Sequence, residues 1–180
     1  MEFRQTKIPG CFVIENTPFN DDRGKFVKPF SFDVFEKGGI KFDVKENFYS
    51  DNGYGVIRGM HFQIPPMDHD KIVYVLNGTI IDVVVDLRKD SPTFKKYISE
   101  YLSSNNNKSI YVPKGCAHGF QSLSDFTIVS YLQSSCYSKE HDSGIKYDSF
   151  GFLWPTAINE SLISDRDKKF KKLEDFQSPF

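Results

Sequence analysis

Apolar and polar side chains alternate with a period of two along most of the chain, the pattern of half-buried β-strands. The clearest case is residues 71–88, KIVYVLNGTIIDVVVDLR, where two runs rich in Val and Ile flank Asn77 and Gly78. Because both of these residues tolerate positive φ, the pattern predicts a β-hairpin with its turn at Asn77-Gly78.

Turn-forming residues separate several other short alternating runs. Clusters of Asn, Asp, Gly, Ser and Pro occur at 20–24, 51–53, 103–107 and 113–115. Many short strands at such spacing indicate an all-β sandwich or barrel. Besides the hairpin, strands are predicted at residues 11–15, 26–30, 45–49, 55–63, 95–102, 108–112, 119–123 and 126–133.

Helical patterns are scarce. A short helix is predicted at 31–37, and a second one at 162–176, where charges alternate with Leu and Phe. No repeat, linker or low-complexity segment interrupts the chain. We therefore expect one domain over residues 1–180, with a polar C-terminal extension from about residue 156 that packs on the barrel.

Charge and cysteine content narrow the class of protein. The 180 residues carry 23 basic and 24 acidic side chains, a net charge of -1, which indicates neither a nucleic-acid partner nor a membrane surface. The three cysteines are an odd number without a C-x-x-C spacing, so reduced thiols are expected. The N-terminal residues lack an apolar segment, and these features together favour a cytoplasmic protein.

The stretch GVIRGMHFQIPP, residues 55–66, places Arg58 and His61 inside an apolar strand. Strict alternation would turn side chains three residues apart to opposite faces. If both serve one site, the strand must bulge between them, and Gly59 is the residue that permits it.

Cationic side chains outnumber their predicted partners in this part of the chain. Lys71 opens the next strand, and His118 follows the turn in PKGCAHGF. Asp82 can neutralise one of these groups as a buried ion pair. A second acid is missing, and buried cations are costly without one. The excess charge indicates an anionic ligand.

A metal site is not predicted, although P-x-G-x-x-H at 113–118 resembles half of the cupin metal signature. The residue two after His61 is Gln63 rather than a histidine, and no Glu follows at strand spacing. The set of imidazole and carboxylate ligands is therefore incomplete.

Several motifs, in this order, make the chain similar to the dTDP-4-dehydrorhamnose 3,5-epimerase family. They are GVIRGMHFQIPP, KIVYVLNGTIIDVVVDLRKDSPTF, YVPKGCAHGFQSLSD, the segment 131–144 and GFLWP. The resemblance covers about residues 4–170. It implies a cupin-type jelly-roll β-sandwich or barrel and a homodimer. It further implies epimerisation of a nucleotide-diphosphate 4-keto-6-deoxy sugar, without metal or cofactor, for surface polysaccharide.

The resemblance also implies roles for individual residues. His61 of the R-G-x-H motif is the base, Tyr131 the opposing acid, and an S-x-x-D aspartate orients the base. Asp167 fits that pattern, with Asp165 as the alternative. Lys71 stabilises the substrate oxyanion, and Arg23 is expected to reach the site of the partner subunit. The other expected substrate contacts are Arg58, His118, Phe26, Asn47, Gln63, Asp82 and Tyr137.

Two lysines depart from the family pattern. Lys28 stands where the family has a glutamate in D-x-R-G-x-F-x-E, and Lys45 stands where the family has a glutamine. In relatives that glutamate and that glutamine contact thymine. Both lysines pointing to solvent is one interpretation. If they line the site, they offer donors that suit guanine better than thymine, which gives a slight preference for a GDP-linked sugar.

Other functions remain open at this stage. The sugar is a hexose or a heptose, and inversion occurs at C3 and C5 or at C3 alone. A 3,4-ketoisomerase on the same scaffold, a non-catalytic nucleotide-sugar-binding jelly roll and a metal-dependent cupin oxygenase are the alternatives.

Overall fold

Two antiparallel sheets face each other in the computed structural model, which describes residues 1–180. The first sheet has the strand order β1-β2-β10-β7-β12-β5, and the second has β13-β6-β11-β8-β9. Strands β3 and β4 form a separate ribbon. The strands are β1 Glu2–Gln5, β2 Phe12–Glu15, β3 Phe19–Asp21, β4 Gly24–Phe26, β5 Glu46–Asn52, β6 Ile57–Gln63, β7 Lys71–Asn77, β8 Thr79–Asp86, β9 Tyr97–Ser103, β10 Lys108–Val112, β11 Cys116–Ser122, β12 Thr127–Gln133 and β13 Asp142–Gly144.

Helices are short and few, as the sequence predicts. Helix α1 spans Phe32–Lys37, a 3-10 helix spans Glu160–Leu162, and α2 spans Asp165–Lys168. None of them is long and apolar enough to cross a membrane. Ten of the predicted regular segments, the two arms of 71–88 included, coincide with these elements within a few residues, and the all-β class is confirmed.

The predicted hairpin at Asn77-Gly78 is wrong. Strand β7 pairs with β10 and β12, whereas β8 pairs with β9 and β11, so the chain passes at this point from one sheet to the other. Gly78 has a φ of 85°, and a Cβ there would lie 2.5 Å from the hydroxyls of Ser124 and Thr127. A corner and a hairpin need the same turn residues, and long-range pairing decides between them.

Three apolar clusters hold the sandwich together. The first fills the space between the sheets and includes Val73, Val84 and Phe120. The second covers the outer face of the β6-β11-β8 sheet with C-terminal side chains such as Trp154 and Leu173. The third packs α1 and the segment after it on the outer face of the other sheet. Because β8 is buried on both faces, apolar and polar residues do not alternate cleanly in its sequence IIDVVV.

The C-terminal helix predicted at 162–176 is mostly absent. Only the four residues of α2 are α-helical, and the chain beyond it forms an isolated parallel bridge, Ile145 to Lys171. Leu173 is buried and Phe176 partly buried in the second cluster, so the segment wraps the barrel instead of following a helical face.

The strand predicted at 26–30 is displaced. Strands β3 and β4 pair with each other in register Phe19 to Phe26, and the chain leaves the ribbon after Phe26. Both phenylalanines are 63% exposed, which gives this ribbon an apolar surface on the isolated chain.

Candidate active site

A cavity of about 360 Å³ opens between the two sheets. Strand β6 of one sheet and strands β5, β7 and β12 of the other supply most of its wall. The lining residues are Phe48, Tyr49, Ser50, Arg58, His61, Phe62, Gln63, His69, Lys71, Phe120, Tyr131, Gln133, Tyr137, Asp142 and Arg166.

A bulge in β6 directs both Arg58 and His61 to this cavity. Phe120 of β11 faces Arg58 and His118 faces His61, so three residues of β6 span two of its neighbour. The extra residue is at Gly59, whose φ is 143°. A Cβ on Gly59 would lie 2.5 Å from the Cα of Gly119, so only glycine allows this close approach. The predicted irregularity is confirmed.

His61 and Asp167 form a hydrogen-bonded pair beside the bulge. The imidazole Nε2 lies 2.8 Å from Oδ1 of Asp167. Asp167 can only accept and Arg166, whose Nη2 lies 2.6 Å from the same Nε2, can only donate, so Nε2 bonds one of the two. Because the guanidinium has carboxylate acceptors in Asp142 and Asp167, we assign the Nε2 proton to the Asp167 bond, which leaves Nδ1 with its lone pair and without a hydrogen bond to the protein. Burial chiefly lowers the pKa of His61, opposed by Asp167 and assisted by Arg166 and Lys71. The imidazole is therefore neutral near pH 7.

Asp167 is fixed from several sides. Its Oδ2 accepts from the backbone N–H of Gly59 at 3.2 Å, and its own N–H donates to Ser164 Oγ, the N-cap of α2. Burial acts to raise the pKa of Asp167, but the bonds from His61, Gly59 and Ser164 outweigh it and lower the pKa to about 2. Asp165, the alternative partner, is exposed and lies 3.7 Å from Lys168.

Arg166 and Asp142 complete this charged group, although sequence reasoning gave neither of them a role. The guanidinium lies 2.5 Å from Asp142 Oδ2, 3.2 Å from Asp167 Oδ1 and 2.6 Å from Nε2 of His61. The signal for Arg166 was its place inside the S-x-x-D motif. No sequence signal marked Asp142, because its strand β13 has only three residues and leaves no pattern of alternation.

Lys71 is a buried cation that opens β7 on the opposite sheet. It is 6% exposed, and its Nζ donates to the backbone carbonyl of His61 at 3.3 Å. Burial lowers the pKa of Lys71 to about 8, although Asp142 and Asp82 act to raise it. The ammonium is therefore largely charged at neutral pH and has spare donors.

Tyr131 faces the cavity from β12 and is buried. Its hydroxyl lies 3.3 Å from Ser50 Oγ, and its ring stacks on Phe48 at a centroid distance of 4.7 Å. Burial raises the pKa of Tyr131, so the phenol keeps its proton. Tyr131 and His61 belong to different sheets, which places an acid and a base on two walls of one cavity.

His118 and Asp82 do not line the cavity, which corrects the expectation for both. They form a buried dyad behind it, with Nε2 of His118 2.7 Å from Oδ2 of Asp82. Both strands are central in their sheet, and a buried carboxylate there needs a partner. Asp82 thus pairs with His118, one of the cationic groups that the sequence expected it to neutralise. The His118 ring packs edge-on against the Tyr131 ring, with their centroids 6.4 Å apart.

The other expected contacts divide into two groups. Gln63, Tyr137 and Arg58 line the cavity, and Asn52 Oδ1 holds the Arg58 guanidinium at 2.6 Å. Five others do not line it in this chain. Arg23 and Phe26 lie on the exposed β3–β4 ribbon, where the Arg23 guanidinium is 2.5 Å from the Asp21 carboxylate. Lys28, Lys45 and Asn47 are exposed. The Lys45 ammonium forms an ion pair with Asp43 at 2.6 Å.

No group of three or more His, Cys, Asp or Glu side chains is placed to hold a metal ion.

Known proteins resemble this chain in sequence and in the arrangement of strands. The family model described as dTDP-4-dehydrorhamnose 3,5-epimerase matches residues 5–175. The enzyme of that name from Methanothermobacter thermautotrophicus is 37% identical over 179 residues, covering 97% of this chain and 96% of the relative.

Solved structures agree with the sequence match. The Bacillus anthracis dTDP-4-dehydrorhamnose 3,5-epimerase with TDP and PPi bound superposes with a TM-score of 0.91 at 37% identity, covering 96% of this chain and 99% of that one. ChmJ, a 3'-monoepimerase from Streptomyces bikiniensis in complex with dTDP-quinovose, gives 0.88 at 30% identity, covering 94% and 86%. The chain therefore belongs to the dTDP-4-dehydrorhamnose 3,5-epimerase family, cupin-type isomerases that act on nucleotide-linked sugars.

Proposed function

We propose that this protein epimerises a dTDP-linked 4-keto-6-deoxy sugar by proton abstraction and return through an enolate, without a metal. The observation that supports it most directly is the placement of neutral His61 on one sheet opposite Lys71 and Tyr131 on the other. A base, an oxyanion donor and an acid then surround one cavity.

His61 is the base in this mechanism. A carbon acid next to a ketone is too weak to lose its proton to water at neutral pH, so the enolate must be stabilised as it forms. The free lone pair on Nδ1 takes the proton, and Asp167 stabilises the resulting imidazolium through Nε2. Lys71, with two uncommitted N–H donors, stabilises the oxygen on which charge develops.

Tyr131 returns a proton to the other face of the sugar. Its pKa is raised by burial, so it enters the reaction protonated and acts as the acid. Protonation on the face opposite to abstraction inverts the carbon. Ser50, 3.3 Å from the phenol oxygen, orients the hydroxyl.

Thymine replaces guanine as the proposed nucleobase. The preference for guanine expected from Lys28 and Lys45 is not supported, because the similar structures hold TDP or dTDP-quinovose. Both lysines are also exposed, and Lys45 is bound to Asp43. Titration of the protein with dTDP and with GDP measures this preference. We expect tighter binding of dTDP, and a preference for GDP would contradict the assignment.

We also propose a homodimer in which the β3–β4 ribbon completes the partner's site. The ribbon carries Arg23, 87% exposed at its side chain, and two exposed phenylalanines, features that suit a contact lying outside this chain. Mixing inactive His61→Asn with inactive Arg23→Ala protein tests it. Mixed dimers would regain one intact site, and a mixture that stays inactive despite subunit exchange would contradict the shared site.

The number of inverted centres is a separate question, since relatives include both a 3,5-epimerase and a 3'-monoepimerase. We propose inversion at C3 and C5 of dTDP-4-keto-6-deoxyglucose, in the cytoplasm, to supply a deoxysugar for surface polysaccharide. NMR analysis of the product formed in D₂O tests this. Deuterium at C3 alone would make the protein a mono-epimerase.

A further inference from the structure

His69 is the one buried side chain lining the cavity that has an unpartnered polar atom. It lies in the loop between β6 and β7 and is 8% exposed. Its Nε2 makes no hydrogen bond within the protein. Buried polar atoms are nearly always satisfied, so such an atom beside a cavity indicates a partner supplied by a ligand.

The hydrogen-bond donors and acceptors around Nδ1 of His69 assign the tautomer of its ring. Gln63 Nε2 lies within 3.3 Å of four possible acceptors, Met67 O at 2.8 Å, Cys136 O at 3.1 Å, His69 Nδ1 at 3.1 Å and Ser135 Oγ at 3.3 Å. The two carbonyls can only accept, so we assign its two hydrogens to them. Its Oε1 accepts from the N–H of Ser138, which fixes the orientation of the amide.

The neighbouring hydroxyl is committed as well. Ser135 donates its only hydrogen to Met67 O at 2.8 Å, and its Oγ lies 3.3 Å from Nδ1 of His69. No hydrogen therefore remains to be donated to Nδ1. The consistent arrangement is that Nδ1 carries the proton and donates to Ser135, which leaves Nε2 as a bare acceptor.

The charge of His69 is also fixed. Burial, with help from Lys71, lowers the pKa of the imidazole to about 3, so the ring is neutral across the physiological range. An acceptor without charge suits a hydroxyl donor. It does not suit a phosphate oxygen, which only accepts, and three cations, Lys71, Arg58 and Arg166, already line the same cavity.

We propose that His69 is a specificity-determining residue whose Nε2 accepts a hydrogen bond from a hydroxyl of the sugar moiety. The inference rests on the proposed function for its ligand class. It adds a recognition contact near Lys71, held in place by Ser135, that none of the catalytic roles requires.

The first test is binding of dTDP and of dTDP-glucose, which lacks the reactive ketone, to three proteins. His69→Phe removes the acceptor, His69→Gln restores one, and His141→Phe is a matched control outside the cavity. We expect His69→Phe to weaken dTDP-glucose binding roughly tenfold and to leave dTDP binding unchanged. His69→Gln recovers part of the loss. Equal weakening for both ligands, or none, would overturn the proposal.

The second test reads the tautomer and does not depend on a stably folded variant. In protein labelled with ¹⁵N-histidine, His69 should show a protonated Nδ1 and a bare Nε2 that does not titrate from about pH 5 to about pH 9. Its Nε2 signal should move with dTDP-glucose and not with dTDP. A protonated Nε2 would contradict the assignment.

These outcomes separate the two proposals. If wild-type protein exchanges no substrate hydrogen in D₂O, the proposed function fails whatever His69 does. If exchange occurs and the His69 variants bind dTDP-glucose like wild type, only this inference fails.

Discussion

Asp167 joins His61 to the backbone of the bulge that presents it, because one carboxylate oxygen bonds Nε2 and the other bonds the N–H of Gly59. The same side chain thus sets the tautomer of His61, the proposed base, and stabilises the strand irregularity beneath it. Loss of this carboxylate should therefore change both catalysis and stability.

Asp167→Asn should lower kcat roughly 10²–10⁴-fold. The amide keeps the shape but cannot stabilise an imidazolium at Nε2, and it presents an N–H where an acceptor is needed. The measurement is steady-state epimerisation. Asp165→Asn is the matched control, since Asp165 is exposed beside the same motif, and an equal loss there would point to α2 rather than to the carboxylate.

Stability at acid pH should depend on the same residue. The pKa of Asp167 is lowered to about 2 in the folded protein and is about 3.9 when unfolded. A depressed pKa contributes stability that is full above the unfolded value and is lost as pH falls from about 4 to about 2. The contribution is roughly 2 to 3 kcal/mol. The Tm difference between wild type and Asp167→Asn should shrink over that interval, and a constant difference would contradict the coupling.

Lys71 should set the alkaline limb of the activity profile. In the proposed mechanism its ammonium stabilises the enolate, and its pKa is lowered to about 8, so kcat should decline as pH rises through that value. Lys71→Arg retains a cation that does not titrate in this range. If that variant folds and turns over, its decline near pH 8 should disappear, whereas an unchanged profile would assign the limb to another group.

Tyr131→Phe should separate exchange from inversion. His61 still removes the proton, so hydrogen exchange with solvent at C3 persists, but nothing returns a proton to the opposite face. Inversion should slow roughly 10²–10⁴-fold, measured by NMR on the same sample. Ser50→Ala, which only loosens the hydroxyl, should have a much smaller effect. Equal loss of exchange and inversion in Tyr131→Phe would refute its role as the acid.

Alternation and turn chemistry predicted most strands because half-buried strands leave a local pattern. The corner at Asn77-Gly78 was not predictable, since a hairpin and a sheet-to-sheet crossing need the same backbone there. The charges and apolar spacing of the C-terminal segment favour a helix. In the structure, Leu173 and Phe176 are held by the barrel face they cover.

The site was predictable where a motif or a local conflict marked it. Arg58, His61 and Gly59 formed such a conflict, because alternation alone could not turn both side chains to one cavity. His118 and Asp82 looked like ligand contacts, but their pairing satisfies two buried groups and removes them from the cavity wall. Asp142 and His69 reach the site from a short strand and a loop, which left no pattern to read.

Deuterium incorporation by wild type and His61→Asn tests the central claim most directly. Each protein is incubated in D₂O with dTDP-4-keto-6-deoxyglucose, and the sugar carbons are read by mass and NMR. The proposed mechanism predicts rapid deuteration next to the ketone with wild type and a loss of exchange with His61→Asn. Exchange that persists at the wild-type rate without His61, or wild type that exchanges nothing, would contradict it.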